Sequence, residues 1–279
     1  MPNDYERRLI RVLDHIHAHP ADDLSLDTLA DVAALSRFHF HRVFRALTGE
    51  TVAAMVRRIR MDHAAVQLTH GDATIVEIAR AVGYPNVASF TRAFSDCHAM
   101  PPGAYRARGH YRTTLTRFHT GEIDMTHPVT LRDAADRRLA GVLHKGAYPK
   151  VGEAFDRLWA LLGARGLAAR VGDMAAVFYD DPSATPEDAL TSHAGVFVDE
   201  DFPIGDPLQE VRLPGGRFAV MRYTGPYSGL TAAYDSFYCS WLPGSGEEPG
   251  DAPVFEAYLN TPADTPPDKL VTEIWMPLK

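Results

Sequence analysis

The sequence is short of the features that would place it in several large protein classes at once. It holds two cysteines in 279 residues, Cys97 and Cys239, far apart and each inside an amphipathic helical pattern. That excludes a disulfide framework and argues against a cysteine metal site; both read as small core residues. No apolar run reaches the roughly 18 residues that a bilayer requires. The opening stretch Met1–Arg11 carries Asp4, Glu6, Arg7 and Arg8 where a secretory signal has an apolar core, so a cytoplasmic protein with no membrane partner is the expectation. There is no Gly-x-Ser-x-Gly, no phosphate loop and no dinucleotide fingerprint, and "PGGRF" at 214–218 fits a hairpin turn. His15, His17 and His19 lie along a helix, yet no cysteine or carboxylate completes a site at familiar spacing; neither metal nor cofactor is expected.

What is present points to two globular domains, since 46% hydrophobic residues over 279 positions supply two ordinary cores. The formal net charge of −8 hides an asymmetry. Residues 1–36 carry three cations against seven carboxylates, residues 37–110 ten arginines and no lysine against five carboxylates, and residues 128–279 thirteen cations against 22 carboxylates. Arginine's planar fork suits phosphates and guanine edges. Arginines that only solvate helix faces would give the same count.

Residues 1–110 read as almost continuous helix. A first helix spans about Tyr5 to His19 and stops at Pro20; Ser25 caps a second, with Leu26, Leu29, Ala30 and Ala33 in one stripe. A turn at 34–36 leads into a helix burying Phe40, Val43, Phe44 and Leu47, which Gly49 ends, and a long helix follows from about Val52 to Leu68. Then the pattern returns. "LADVAAL" (29–35) matches "IARAVGY" (78–84), and "FHRVF" (40–44) matches "FTRAF" (90–94). Ala30 and Ala79 are small where two helices cross, and Gly83 fits a left-handed turn. With Phe40 and Phe44 on the core stripe, Arg42 points the other way, into solvent or a groove. Two helix-turn-helix units on a stiff connecting helix would hold their second helices about one DNA turn apart; a plain helical domain with duplicated supports accounts for the same repeat.

Residues 5–110 resemble the DNA-binding domain of the AraC/XylS family, on "SLDTLADVAALSRFHFHRVFRALTG", "VRRIRMDHA", "IVEIARAVGYPNVASFTRAF" and the closing "PPGAYR". The resemblance implies that double-stranded DNA is met by Arg37, Phe38, His41 and Arg42 of the first reading helix. In the second it implies Asn86, Val87, Ala88, Ser89, Thr91 and Arg92, and it adds RNA polymerase as a partner. His39 and His41 flank that face and would add pH-dependent attraction for phosphate. Ala34 and Ala99 stand where the family usually has turn glycines, and His98 where it has an aromatic. Because Val87 and Ala88 are apolar, the second unit is expected to clamp phosphates through Arg92, Thr91 and Asn86.

A polar, threonine-rich connection is placed at 111–127, between domains at 1–110 and 128–279. Beyond it the texture turns to strands, in "RRLAGVLH", "MAAVFYD", "HAGVFVD", "GRFAVMRYTG", "PVFEAYLN" and "LVTEIWMPL", with helices at about 150–164 and 227–242. Arg138, Ala140, Gly146, Tyr148, Ala154 and Asp156 recur 79 positions later (217 less 138) as Arg217, Ala219, Gly225, Tyr227, Ala233 and Asp235. Each copy reads as strand, Gly-x-Tyr, helix. The fold class is therefore an all-α double helix-turn-helix domain followed by an α+β domain of two pseudo-symmetric strand-helix-strand repeats, with a groove where the repeats meet.

This half resembles the GyrI-like effector-binding domain, and its order after the helical half matches Rob-like regulators. In "VFEAYLN" alternation places Glu256 with Val254 and Tyr258, away from Phe255, Ala257 and Leu259. Alternation alone allows Glu256 to face water; the resemblance places it in a ligand pocket, where a carboxylate among aromatics attracts a small hydrophobic cation. Tyr148, Tyr227, Tyr258, Trp275 and Phe178 are the candidate aromatics. A DNA-binding regulator modulated by such an effector is the leading reading, not an enzyme. Hydrolysis of small electrophiles with Glu256 as general base, and docking of another protein, are the alternatives.

Overall fold

The protein is described from a computed structural model, which covers residues 4–109, 127–182 and 185–279. The connection expected at 111–127 lies, save its last residue, outside the described residues. The chain divides into two compact units, Met1–Leu35 with Phe44–Thr120, and Ser36–Val43 with Gly121–Lys279.

Among the described residues seven helices precede the first strand: α1 (Asp4–Ala18), α2 (Leu26–Ala33), α3 (Arg37–Thr48), α4 (Val52–His70), α5 (Ile75–Ala81), α6 (Val87–His98) and α7 (Pro102–Arg108). Their starts follow from side chains that satisfy the orphan amides of a first turn. Ser25 accepts from Thr28 N–H, Thr51 from Ala54 N–H, and Asn86 from the amides of Ala88 and Ser89. Thr74 and Glu77 form a reciprocal capping box at α5. In the first unit Phe90 and Phe94 of α6 pack with Met61, Ala64, Ala65 and Leu68 of α4, with Ile78 and Ala79 of α5, and with Tyr105 of α7. Ala79 is fully buried, as a close helix crossing demands. Gly83 turns with φ of +78°, and a Cβ there would lie 2.8 Å from Arg60 Nη2 and 3.0 Å from Pro20 O. Cys97 is exposed and Cys239 half-buried, which corrects the core role expected for both; on α6 the aromatic pair Phe90 and Phe94 fills the core side that Cys97 was expected to share. Among the described residues no helix is long and apolar enough to cross a membrane.

The two alanines that replace turn glycines both take the left-handed conformation, Ala34 at φ 53° and Ala99 at φ 56°. An L-residue there costs roughly 1–2 kcal/mol, partly offset because glycine has more unfolded-state freedom to lose. Ala34→Gly is accordingly expected to stabilise the chain by about 0.5–1 kcal/mol. A thermal melt of the full chain should move up by about 1–3 °C, and a fall would contradict the strain argument.

The second unit is built on one antiparallel sheet of eight strands: β1 (Val129–Ala134), β2 (Arg137–Lys145), β3 (Met174–Phe178), β4 (Thr191–Val198), β5 (Gln209–Leu213), β6 (Gly216–Thr224), β7 (Phe255–Tyr258) and β8 (Val271–Pro277). Helix α8 (Gly152–Ala164) follows β2, and α9 (Leu230–Ser236) follows β6, continuing through a π-helical turn (Phe237–Trp241) into α10 (Leu242–Ser245). The strand order is β1-β6-β8-β7-β3-β4-β2-β5. The 79-residue offset carries 137–145 onto 216–224, which are β2 and β6, and carries β4 onto β8 within one residue. Paired in this way the order reads the same from either edge, so the two repeats meet at β3–β7, in the middle of the sheet. Edge strands β1 and β5 had no sequence signal; both are short and about half exposed, and pattern rules rest on burial.

Candidate ligand pocket and nucleic-acid interface

Directly opposed residues of an antiparallel pair share a face, so register decides which side chains can meet. Glu256 lies opposite Ala176 of β3 and Ile274 of β8. On that same face α8 packs Phe155 and Leu158 with Ala176 and Tyr258. Phe255 lies opposite Trp275 and Val177, on the other face, where Leu139, Phe218, Phe255 and Trp275 form a second core.

Glu256 is 4% exposed, so the reading in which it faces water is overturned. Tyr258 donates to its Oε2 at 2.8 Å and Tyr234 to its Oε1 at 3.0 Å. Burial lifts its pKa to about 6, against those two hydrogen bonds and the charge of Arg42, which pull it down. Around it, Tyr227 sets its ring edge-on to Tyr258 at 5.5 Å, and Tyr148 meets Phe178 edge-on at 4.8 Å. The Tyr148 hydroxyl donates to the carbonyls of Asp180 and Thr191. Tyr227, with 38% of its surface free, is the exposed aromatic of the set.

Trp275 does not belong to this group. It stacks on Phe255 with ring centroids 5.5 Å apart and 14° between planes, on the face away from Glu256. There it borders a cleft of about 520 Å³ with Arg132, Arg137 and Glu273. The expectation failed because the sequence does not give the parity of β8 relative to β7; that parity comes from their pairing.

Tyr234 and Tyr238 were missed. They stand four residues apart on α9 and its π-helical continuation, an i, i+4 pair that a helical reading of 227–242 places on one side. Tyr238 is buried, and its hydroxyl meets His39 Nδ1 at 2.9 Å. His39 Nε2 lies 3.2 Å from the carbonyl of Ala252. A carbonyl only accepts, so Nε2 carries the proton and Nδ1 accepts from Tyr238, which is the neutral tautomer. Burial, and then Arg42, lower the His39 pKa to about 3.

His41 is also buried; its Nδ1 donates to Arg37 O at 3.0 Å, and its Nε2 faces Asp181 Oδ2 at 3.6 Å without a hydrogen bond. Burial lowers it to about 4, opposed by the attraction of Asp181. Arg42 lies over the ring of Tyr234 at 4.5 Å and of Tyr238 at 5.4 Å. Part of its length is accessible, while its Nη1 is enclosed and makes no hydrogen bond. These placements correct the expectation that His41 and Arg42 face solvent and that His39 and His41 attract phosphate as cations. Helical period does turn Arg42 away from Phe40 and Phe44, but side chains distant in sequence cover the face it turns to. Arg37 is exposed and Phe38 half-buried, with the Arg37 guanidinium 5.7 Å from that ring.

Helix α6, the second one expected to meet DNA, stands differently. On α6, Asn86, Ala88, Ser89 and Arg92 are exposed, and Val87 and Thr91 are half-buried. Asn86 spends its side-chain oxygen as the N-cap, leaving its amide nitrogen at the start of the helix and Arg92 at its middle as outward donors.

Residues 127–279 match the family model described as the GyrI-like small molecule binding domain, and residues 29–108 match a helix-turn-helix domain model. Among curated proteins the chain is similar to the HTH-type transcriptional regulator YbfP of Bacillus subtilis (strain 168), 35% identical over 102 residues, covering 37% of this chain and 35% of that one. It is similar also to the regulatory protein PocR of Salmonella typhimurium, 33% identical over 105 residues, covering 38% and 35%. The match thus spans about a third of the length of these relatives. Among solved structures, the C-terminal domain of AraT, a response regulator from Geobacillus stearothermophilus, is 28% identical with a TM-score of 0.35, covering 40% of this chain and 93% of that one.

Proposed function

Because the chain belongs to the GyrI-like small-molecule-binding family and carries an AraC-type helix-turn-helix region ahead of that domain, we propose that it is a sequence-specific, DNA-binding transcriptional regulator. A small, hydrophobic or cationic ligand in the C-terminal domain modulates it. Residues 1–110 serve as the DNA-binding part and 128–279 as the ligand part. The partners are double-stranded DNA, the effector and RNA polymerase, and the place of work is the cytoplasm.

The observation that carries the ligand half is a carboxylate almost wholly out of water, with both oxygens held by tyrosine hydroxyls. Such a charge is costly unless a cation meets it, and tyrosine rings beside it add attraction of roughly 0.5–2 kcal/mol for that cation. Both oxygens being engaged also favours holding charge over taking a proton from water, which supports a binding rather than a hydrolytic role. The DNA half draws support from the exposed Arg92 in the middle of α6, whose guanidinium suits a phosphate.

The test is a titration of the full chain with duplex DNA over a salt series. The logarithm of affinity should fall linearly with the logarithm of salt, by about 0.9 per phosphate engaged. Arg92→Ala should weaken binding alike on every sequence and flatten the slope by about one contact. Salt-independent affinity, or no binding at low salt, would remove the DNA-reading role.

A further inference from the structure

The Arg42 guanidinium sits where an aromatic-bound cation would sit. It covers Tyr234 at 4.5 Å, and the hydroxyl of that same tyrosine donates to Glu256 Oε1 at 3.0 Å. One ring therefore separates the cation from the carboxylate. The placement is held by the neighbours of Arg42 in the second unit: Ser36 Oγ donates to Gly250 O at 3.2 Å, and His39 bridges Tyr238 and Ala252. The guanidinium hydrogen-bonds the two tyrosines it covers, yet its enclosed Nη1 has no hydrogen-bond partner. A well-built structural arginine satisfies its five donors. One that leaves a donor buried and unpaired is easily exchanged for a cation that needs fewer.

We propose that Arg42 is a tethered occupant of the Glu256 pocket, and that a small planar aromatic cation takes its place on Tyr234 and Tyr238 and so releases Ser36–Val43 from the second unit. This rests on the cation-binding reading of Glu256 and on the DNA-reading role of α3. The exchange is one of like for like: the incoming cation keeps the charge facing Glu256 and the ring-face contact, while Arg42 and the amides of α3 regain water or reach phosphate. The ligand acts as a switch because it binds only the chain from which Arg42 has left, and its apparent affinity is reduced by the fraction of chains in that state. Ligand and DNA then favour the same state, so each raises the affinity for the other.

The experiment uses the full chain and benzamidinium as probe, with neutral benzamide as control, in wild type, Arg42→Gln, Arg42→Lys and Glu256→Gln. Calorimetric titration should show Arg42→Gln binding benzamidinium at least about tenfold more tightly than wild type, with Arg42→Lys between them. Hydrogen exchange of the 36–43 amides in wild type should speed up on adding benzamidinium and stay unchanged with benzamide. Equal or weaker binding in Arg42→Gln, with affinity still lost in Glu256→Gln, overturns the displacement and leaves the pocket reading standing. If no Glu256-dependent binding is found in either wild type or Arg42→Gln, the pocket reading falls and this proposal with it. Arg42→Gln can also loosen the unit, so the exchange measurement on the unmutated chain decides independently: unchanged or slower exchange at saturation overturns the release.

Discussion

Glu256→Gln is expected to weaken benzamidinium binding on the order of a hundredfold, which corresponds to about 2.7 kcal/mol. The substitution keeps the shape of the side chain and one of its two oxygens, so the hydrogen bond from Tyr234 or from Tyr258 survives. What disappears is the charge, and in a site this dry a lost charge counts for more than a lost contact. The pH dependence follows in sign from the same carboxyl. Burial holds it at about 6, and Arg42 is one of the groups pulling it down. In an Arg42→Gln background, where the tether does not compete, the carboxyl should titrate at or above that value. Benzamidinium affinity should be flat above it and fall about tenfold per pH unit below. The double variant with Glu256→Gln should show no such step. A cation affinity that climbs on acidification, or an unaltered profile without Glu256, would remove the carboxylate from the binding account.

Acidification of the wild-type chain should itself free Ser36–Val43. His39 and His41 have their pKa values lowered from 6.5, to about 3 and about 4, mainly by burial. A group with a depressed pKa in the packed state contributes stability that is present above 6.5 and is lost as pH falls toward the packed value. By pH 5 the loss is on the order of 2 kcal/mol for each histidine. The groups that face them do not reverse this. Tyr238 stays neutral and Arg42 repels a second cation; Asp181, Asp180 and the Arg37 carbonyl favour the charged form of His41, and the Ala252 carbonyl that of His39, but burial outweighs them and both values stay depressed. Glu256 acts in the same direction, because protonating it below about 6 removes a charge that holds Arg42. Amide exchange of residues 36–43 should therefore accelerate between pH 7.5 and 5, after correction for intrinsic rates, and the His39 imidazole should move from its buried, neutral resonance to that of a free one. Exchange that slows across this window, or a His39 that stays neutral and buried at pH 5, would contradict the argument. Replacing His39 by Gln should leave the segment less firmly packed at neutral pH but blunt its response to acid.

The molecule was legible in its sequence wherever a short-range rule decides. Ser25 marks a helix start because its side-chain oxygen must satisfy an amide a few residues away; Asn86 and the Thr74–Glu77 pair obey the same rule, although the sequence pattern assigns Asn86 to phosphate and does not single out the pair. The glycine at 83 and the alanines at 34 and 99 mark turns that need a left-handed residue. The 79-residue repeat anticipated that a strand, a Gly-x-Tyr turn and a helix occur twice, and the strand order of the sheet repeats with it. The edge strands escaped, since a half-exposed strand of five or six residues leaves little periodicity to detect.

Alternation within β7 determined by itself that Glu256 and Tyr258 share a side, because successive side chains of a strand must point oppositely. Helical period likewise determined that Arg42 turns away from Phe40 and Phe44. Only the tertiary structure decided that Trp275 lies on the opposite face from Glu256, since face is shared across strands through register and not through sequence distance. Only it decided, too, that tyrosines of α9 and its continuation, with His39 and Tyr238 separated by 199 positions, enclose Arg42. Local rules fix the direction in which a side chain leaves the backbone; what waits there depends on which distant segment folds over it.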